Sequence, residues 1–328
     1  MKQKVLITGA SGFLGFHLIN AAIENNLEVY AGVRNKSNIK HLEELPVQFV
    51  ELNFADTKGL DDIFSSNKFD YVIHAAGTTK ANSENEYDLV NNQFTKNLAV
   101  AAEKNKEHTR RFVFISSLAA TGPLKTGEGT IKEDKVPNPV TAYGRSKLKA
   151  EQNLEKVDIP TTILRPTAIY GPREKDIFLV NQYLNKGFEP YIGRAPQQLS
   201  FVYGKDVANL AVKVLANQNA NGVYNITDGN EYTRYDYALI VKALLGKKTM
   251  KLHLPVTIVK ALLFAVEKVS RSLNKVPTVS NEKLNELMAE NWICDIQKAK
   301  DELGYLPAYN LEKGLKESIE WYREHKWL

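Results

Sequence analysis

Ser117, Tyr143 and Lys147 are residue types that can move a proton to or from an alcohol oxygen. Upstream, Thr8-Gly9-Ala10-Ser11-Gly12-Phe13-Leu14-Gly15 is the kind of segment that holds a pyrophosphate. Tyr143 and Lys147 stand four apart, so on one helix their side chains share a face. A free phenol titrates near ~10, too high for a good base at neutral pH. An ammonium beside it favours the phenolate and is expected to lower that value. Tyr143 then exchanges a proton with a carbinol oxygen while a hydride moves to or from a nicotinamide. Ser117, expected at the carboxyl end of a strand, holds and polarises the same oxygen. A lone Tyr-x-x-x-Lys also arises as a surface helix pair. Its company here, a glycine segment and a strand-end Ser116-Ser117, is much rarer.

Gly9, Gly12 and Gly15 fall between the first expected strand and the first expected helix. Glycine permits positive φ and close backbone approach. The helix that follows offers free N–H groups and its dipole to a pyrophosphate. The second strand should report the cofactor, because a carboxylate at its end binds ribose hydroxyls and an Arg suits a 2′-phosphate. It reads Tyr30-Ala31-Gly32-Val33-Arg34-Asn35-Lys36-Ser37. Gly32 offers no carboxylate, while Arg34 and Lys36 offer charge, so NADP is expected over NAD. The other reading of Arg34 is a solvated surface cation.

These groups need a scaffold, and strands alternate with helices as a parallel sheet requires. Strands are expected at 4–8, 27–33, 47–52, 71–75, 111–116 and 161–165. Helices are expected at 13–25, from 37 for a short stretch, and at 56–64, 86–104 and 141–156. Beyond Gly171 the pattern loosens, with 201–203, a helix at 206–216 and 223–227 returning to the first unit. The expectation is an α/β, Rossmann-type doubly wound parallel sheet with a smaller, mainly helical C-terminal substrate domain. The nucleotide domain would comprise 1–172 plus about 201–228; the substrate domain, about 173–200 and 229–328.

With 328 residues and a formal charge of +5, the chain has no dense Lys/Arg run, which makes nucleic acid a poor partner. Its single cysteine, Cys294, cannot form an internal disulfide and reads as an inert core thiol. A first strand starting at about Lys4 leaves no room for a targeting peptide, so the cytosol is expected. The apolar stretch 254–266 is short of the roughly 20 residues that span a bilayer. It reads as an amphipathic helix packed on the substrate domain or, alternatively, as a lid or peripheral membrane contact. No metal site is expected.

At this point the chain resembles the extended short-chain dehydrogenase/reductase family over essentially its whole length. The likeness rests on residues 8–15, Ile73-His-Ala-Ala-Gly77, Val90-Asn91, Asn97-Leu98, Phe114-Ile-Ser-Ser117, Tyr143 with Lys147, Leu164-Arg-Pro166, Tyr170-Gly-Pro172, Phe201-Val-Tyr203 and Asp206-Val-Ala208. A later run, Asp295, Lys298-Ala-Lys300, Leu303-Gly-Tyr305, Pro307, Gly314 and Trp321-Tyr322, is similar to the family's C-terminal signature. The resemblance implies catalytic roles for Tyr143 and Lys147 with Ser117 assisting. It also implies that Gly9, Ser11, Gly12, Phe13, Leu14 and Gly15 hold the cofactor. Asn53 would lie near adenine, Ala75, Ala76 and Gly77 would line the cofactor, and residues 166–169, with Pro166 and Ile169, would approach the nicotinamide. A homodimer paired through the helices at 86–104 and 141–156 is likewise implied.

Two departures narrow the choice. Leu118-Ala119 stands where the family's dehydratases carry Asp-Glu, so an acid and base for eliminating water are missing. Ala168 replaces an Asn usual in the sugar-nucleotide epimerases. The Val33-Arg34 ending is similar to NADP-dependent reductases, and Leu254-Pro255 and Trp292-x-Cys-Asp295 look like the 3β-hydroxysteroid dehydrogenase branch. An NAD(P)-dependent dehydrogenase or reductase is therefore expected first, and a nucleotide-sugar epimerase with tightly bound cofactor second. A non-catalytic nucleotide sensor would be expected to lack the intact Ser-Tyr-Lys set.

Overall fold

A computed structural model describes residues 2–125, 127–272 and 281–328. Its centre is seven parallel strands. In chain order, β1 (Lys4–Thr8), α1 (Phe13–Glu24), β2 (Glu28–Val33), β3 (Val47–Glu51), α2 (Thr57–Asn67) and β4 (Tyr71–His74) form the first part. Then come α3 (Glu84–Tyr87), a π turn at Asp88–Gln93, α4 (Phe94–Lys104), β5 (Arg111–Ile115), α5 (Ala142–Leu154) and β6 (Thr161–Pro166). The next elements are β7 (Ala168–Tyr170), α6 (Phe178–Asn185), β8 (Phe188–Ile192), β9 (Gln198–Leu199), β10 (Phe201–Tyr203), α7 (Gly204–Lys213) and β11 (Gly222–Ile226). The remainder is β12 (Tyr232–Thr233), α8 (Asp236–Leu245), β13 (Met250–Leu254), α9 (Val256–Ser272), α10 (Asn281–Met288), α11 (Gln297–Leu303) and α12 (Leu311–Glu324).

The sheet order is β11-β6-β5-β4-β1-β2-β3. The chain leaves β1 to one side for β2 and β3 and returns on the other side for β4. That reversal is the switch point at which such sheets bind ligands, at the strands' carboxyl ends. Strands buried on both faces need apolar runs rather than alternation, and Val5, Leu6 and Ile7 of β1 are fully buried. One face is covered by Leu18 and Ile19 of α1, Val207 and Ala211 of α7 and Leu303 of α11. Leu60 and Phe64 of α2, Leu98 and Ala102 of α4 and Leu154 of α5 cover the other. The later segment 222–226 does rejoin the sheet, as β11 beside β6.

Two expectations are corrected. Residues from 37 form turns rather than a helix, closed by i to i+3 bonds from Leu42 N to Ile39 O and Leu45 N to Leu42 O, and Pro46 then ends the segment. The helix expected at 86–104 is divided by the π turn at Asp88–Gln93. There Thr95 Oγ1 donates to Asn91 O, and the Asn91 side chain leaves the helix to bond elsewhere. The helix expected in 254–266 is present as α9, after the end of β13; it packs on α10, and none of residues 256–268 is buried. The expected substrate segment 229–328 includes 273–280, which lie outside the described residues. Among the described residues, Leu184, Tyr237, Val241, Leu315 and Ile319 form a separate apolar cluster joining α6, α8 and α12. Cys294 is buried, and that burial pushes its thiol well up.

Candidate active site

Six strand ends converge on one rim. Gly9 takes φ +70° just after β1, and Gly12 N donates to Gly9 O at 2.9 Å. A Cβ at Gly9 would lie 2.7 Å from the Ala75 carbonyl, and one at Gly15 would lie 2.1 Å from Gly9 O. Both glycines are therefore required by backbone packing. Gly12 differs, since its Cβ would meet only Gly9 O, at 3.2 Å. Gly12 opens α1, no side chain caps that helix end, and Gly12 is exposed. The turn thus keeps an open side facing uncapped N–H groups, which fits a pyrophosphate. Ser11, Phe13 and Leu14 flank it half-buried. The Phe13 ring packs on Gly204, where a Cβ would come within 2.9 Å.

Beyond β2, Arg34 and Lys36 are exposed, and Arg34 N donates to Ser37 Oγ. Gly32 faces inward, because a Cβ there would lie 2.6 Å from Leu52 Cδ1. A carboxylate at Gly32 would point into the packing, so its absence at that position says less about ribose than the sequence suggested. Asn53, exposed after β3, accepts from Ala55 N. Ala75, Ala76 and Gly77 follow β4 directly. Pro166 ends β6, and Ile169, half-buried, pairs with Val202.

Ser116 and Ser117, adjacent in sequence, point to different tasks. Ser116 Oγ is bonded to Glu151 beneath the rim, inside the buried Glu151–Arg165 ion pair, where Arg165 Nη2 lies 2.6 Å from Glu151 Oε2. Ser117 Oγ accepts from Ala119 N and stands beside the Tyr143 phenol, whose pKa it draws down. Thr141 caps α5, and Gly144 lets that helix sit close, since a Cβ there would lie 2.3 Å from Ala119 O. One turn on, Lys147 Nζ donates to Ile115 O at 2.9 Å and lies 4.6 Å from the centroid of the Phe114 ring. A Cβ at Gly77 would lie 3.5 Å from that Nζ, so Lys147 borders the 75–77 segment.

The electrostatics reverse one expectation. Burial pushes the Tyr143 phenol well above its ordinary value; neighbouring Ser117 draws it partly back, while Glu286 and Tyr87 raise it further. Burial lowers Lys147 to about 8. The ammonium is turned to a backbone carbonyl and is not among the charges that move the phenol. Burial thus favours the neutral form of the Tyr143 phenol.

Several residues that the motif reading left without a role join the site. Asn91, freed by the π turn, accepts from Thr78 N and donates to Thr78 O and Ser146 Oγ. Ser146 Oγ donates to Tyr143 O, so Asn91 ties the loop after β4 to the Tyr143 turn. The signals for it were the polar Asn91-Asn92 pair inside an apolar helical pattern and the Val90-Asn91 of the family resemblance. From α10, Glu282 accepts from Ala142 N at 2.6 Å and from Arg145 Nη2 at 3.0 Å.

Under the cradle, His74 is bracketed by Thr8 Oγ1 at 2.7 Å and Thr95 Oγ1 at 2.9 Å. Burial lowers it to about 3 and lowers His17 to about 4. Unfolded imidazoles bind protons first, so this stability is present above the unfolded value and is lost as pH falls toward 4. Each should cost about 2 kcal/mol by pH 5. Urea midpoints at pH 7 and 5 check this, and equal midpoints would contradict it.

A glycine cradle at a switch point with a Ser-Tyr-Lys set on the same rim defines a nucleotide-binding α/β enzyme of the short-chain dehydrogenase/reductase class. Residues 5–227 match the model of the NAD dependent epimerase/dehydratase family, and the chain belongs to that family. It is 27% identical to a decarboxylating sterol-4-alpha-carboxylate 3-dehydrogenase of Candida albicans, covering 98% of each chain. It is 26% identical to the N-acetyl-alpha-D-glucosaminyl-diphospho-ditrans,octacis-undecaprenol 4-epimerase of Escherichia coli, covering 99% of this chain and 97% of the other. Among solved structures, Thermotoga maritima UDP-glucose 4-epimerase with UDP-glucose superposes with a TM-score of 0.80 at 22% identity, covering 99% of this chain and 100% of that one. At that identity the likeness speaks for the fold alone.

Proposed function

We propose that the chain transfers a hydride between a nicotinamide cofactor and a secondary alcohol or ketone, with Tyr143 as acid/base. One observation carries the reading: Ser117 stands beside the Tyr143 phenol at the strand-end rim that also holds Lys147 and the glycine cradle. When bound, the nicotinamide supplies or accepts the hydride. Gly9, Ser11, Gly12, Phe13, Leu14 and Gly15 would hold its pyrophosphate, and Asn53 the adenine side. Ala75, Ala76, Gly77, Pro166 and Ile169 would line the remainder. Ser117 orients the substrate oxygen. Tyr143, kept protonated by burial, gives its proton to that oxygen when a ketone is reduced and recovers one in the reverse direction. Lys147 would hold the nicotinamide ribose and supply charge beside it. Residues 173–200 and 229–328 would provide the substrate side.

Support for a reductase over an epimerase comes from Ala168, exposed at the start of β7 without a polar side chain, while Leu118 and Ala119, buried in the turn after Ser117, speak against a dehydratase. The second reading, an epimerase with tightly held NAD(P), is favoured by the kinship with the Escherichia coli lipid-linked 4-epimerase. Purified protein mixed with NADPH or NADH and a panel of ketones, followed at the nicotinamide absorbance, tests the first. No oxidation of cofactor with any ketone, together with conversion of a nucleotide sugar without added cofactor, would establish the second.

On cofactor choice, exposed Arg34 and Lys36 at the end of β2 favour NADP. One charge-assisted phosphate contact corresponds to roughly ten- to a hundredfold in affinity. Arg34→Ala should remove most of that preference with little change in NAD binding, as read by fluorescence titration. Equal wild-type affinities for the two nucleotides would overturn it. A cytosolic homodimer paired through α4 and α5 completes the proposal, with Leu89 exposed beside those helices.

A further inference from the structure

We infer that Glu151 is a positioning residue of the site: its buried carboxylate locks the end of β5 to α5 and supplies a negative charge one helical turn from Lys147. Positions 143, 147 and 151 recur every fourth residue of α5 and so share one face of that helix. The face meets three consecutive residues at the end of β5. Lys147 Nζ donates to Ile115 O at 2.9 Å, Ser116 Oγ donates to Glu151 Oε1, and Tyr143 stands beside Ser117. Successive side chains of an extended segment point to opposite sides, and Ser117 is extended. Fixing Ser116 beneath the rim therefore fixes the direction of Ser117, next to the phenol.

Glu151 is itself held. Arg165 of β6 grips it as a fork, with Nε 3.0 Å from Oε1 and Nη2 2.6 Å from Oε2. Ser116 N donates to Leu164 O at 2.8 Å, so the ring of bonds closes through the β5–β6 pair. The side chains of Glu151 and Arg165 are 2% and 6% exposed. Stability does not account for placing them there. Taking two charges out of water costs about what their attraction returns, and an apolar pair of similar volume serves a core as well or better. The carboxylate has a use one turn away.

Lys147 is buried as well, and burial drives its ammonium toward the neutral amine while Glu151 opposes that. Among the described residues, the titratable groups around it are Tyr143 and Glu151 on its own helix, His74 on β4 and, through Glu151, Arg165 on β6. Burial favours the neutral forms of Tyr143 and His74, and Arg165 is not among the charges that move Lys147. Without the carboxylate the amine would lose its proton nearer neutral pH. Resting on the reading above for the role of Lys147, Glu151 keeps that side chain charged for the nicotinamide ribose.

The test follows NADPH affinity by fluorescence titration, and ketone reduction at the nicotinamide absorbance, as functions of pH. Wild type should lose both above pH 8, as the Lys147 ammonium is lost. Glu151→Gln keeps the shape and an acceptor for Ser116 but removes the charge. It should lose both about one pH unit lower, the small end of the effect of a nearby opposite charge. Glu151→Asp keeps the charge and should leave the limb where wild type has it. If Arg165, left unpaired, unfolds the Gln variant, Glu151→Gln with Arg165→Gln carries no unpaired buried charge. That double variant should show the same displacement, because Arg165 does not move Lys147. Ser116→Ala removes the lock alone. Its kcat should fall roughly tenfold or more, since a misplacement of about 1 Å can cost about a hundredfold, while the pH limb and NADPH affinity stay in place. The inference is overturned if the neutral variants keep the wild-type limb, if Glu151→Asp moves it as far as Glu151→Gln, or if Ser116→Ala keeps wild-type kcat. A wild type that binds NADPH but reduces no ketone would remove the catalytic reading, and the pH dependence of NADPH affinity would still decide the role of the Glu151 charge.

Discussion

Tyr143→Phe should lower turnover by roughly a hundredfold to ten-thousandfold, the range for losing a positioned acid or base, while nucleotide affinity stays nearly unchanged. Only the hydroxyl is removed. The ring keeps its place near Tyr87, 6.4 Å between centroids, and the helix keeps its seat through Gly144 against Ala119. The pH profile adds a second reading of the same site. Burial holds the phenol high, so in ketone reduction it stays protonated through neutral and mildly alkaline pH. Lys147, lowered to about 8, titrates within that window. Activity should therefore be retained below pH 8 and decline above it as the ammonium is lost. Substantial turnover by Tyr143→Phe would remove Tyr143 from the acid/base role.

Gly15→Ala should damage both fold and nucleotide binding. The new methyl would sit 2.1 Å from Gly9 O and 2.7 Å from Ala10 O, which are backbone atoms with no rotamer to yield. Overpacking of this kind costs about 1–3 kcal/mol, and relief requires opening the cradle. Gly12→Ala gives the contrast. Its methyl would meet only Gly9 O, at 3.2 Å, and otherwise projects into the open side of the turn. That variant should melt near wild type yet bind NADPH poorly. Thermal melts and fluorescence titration of both proteins check the pair. A Gly15→Ala protein with wild-type melting and affinity would contradict the cradle described here.

The strands were legible because fully buried parallel strands are short apolar runs, and 5–7 and 71–73 each show one. Residues from 37 misled because Ile39, Leu42 and Leu45 recur every three positions, which suits a helix; the chain satisfies that spacing with successive turns. The π turn was not legible, since the apolar period continues through it and the interruption comes from where the Asn91 and Thr95 side chains bond. The Ser-Tyr-Lys set was legible as types and spacing. The state of the phenol was not, because it depends on burial and on Lys147 turning to Ile115 O, both set by tertiary packing. Nor does any local pattern announce that Glu282 reaches Ala142, 140 positions away in sequence.

The most direct test of the central claim is a crystal structure of the wild-type chain with NADP bound. The account predicts the pyrophosphate against the N–H groups at Gly12 and Phe13, and the nicotinamide among Pro166, Ile169 and Tyr143. It also predicts the Lys147 ammonium on the nicotinamide ribose and Arg34 at the 2′-phosphate. A pyrophosphate bound away from the glycine turn, or a nicotinamide remote from the Tyr143 hydroxyl, would contradict it.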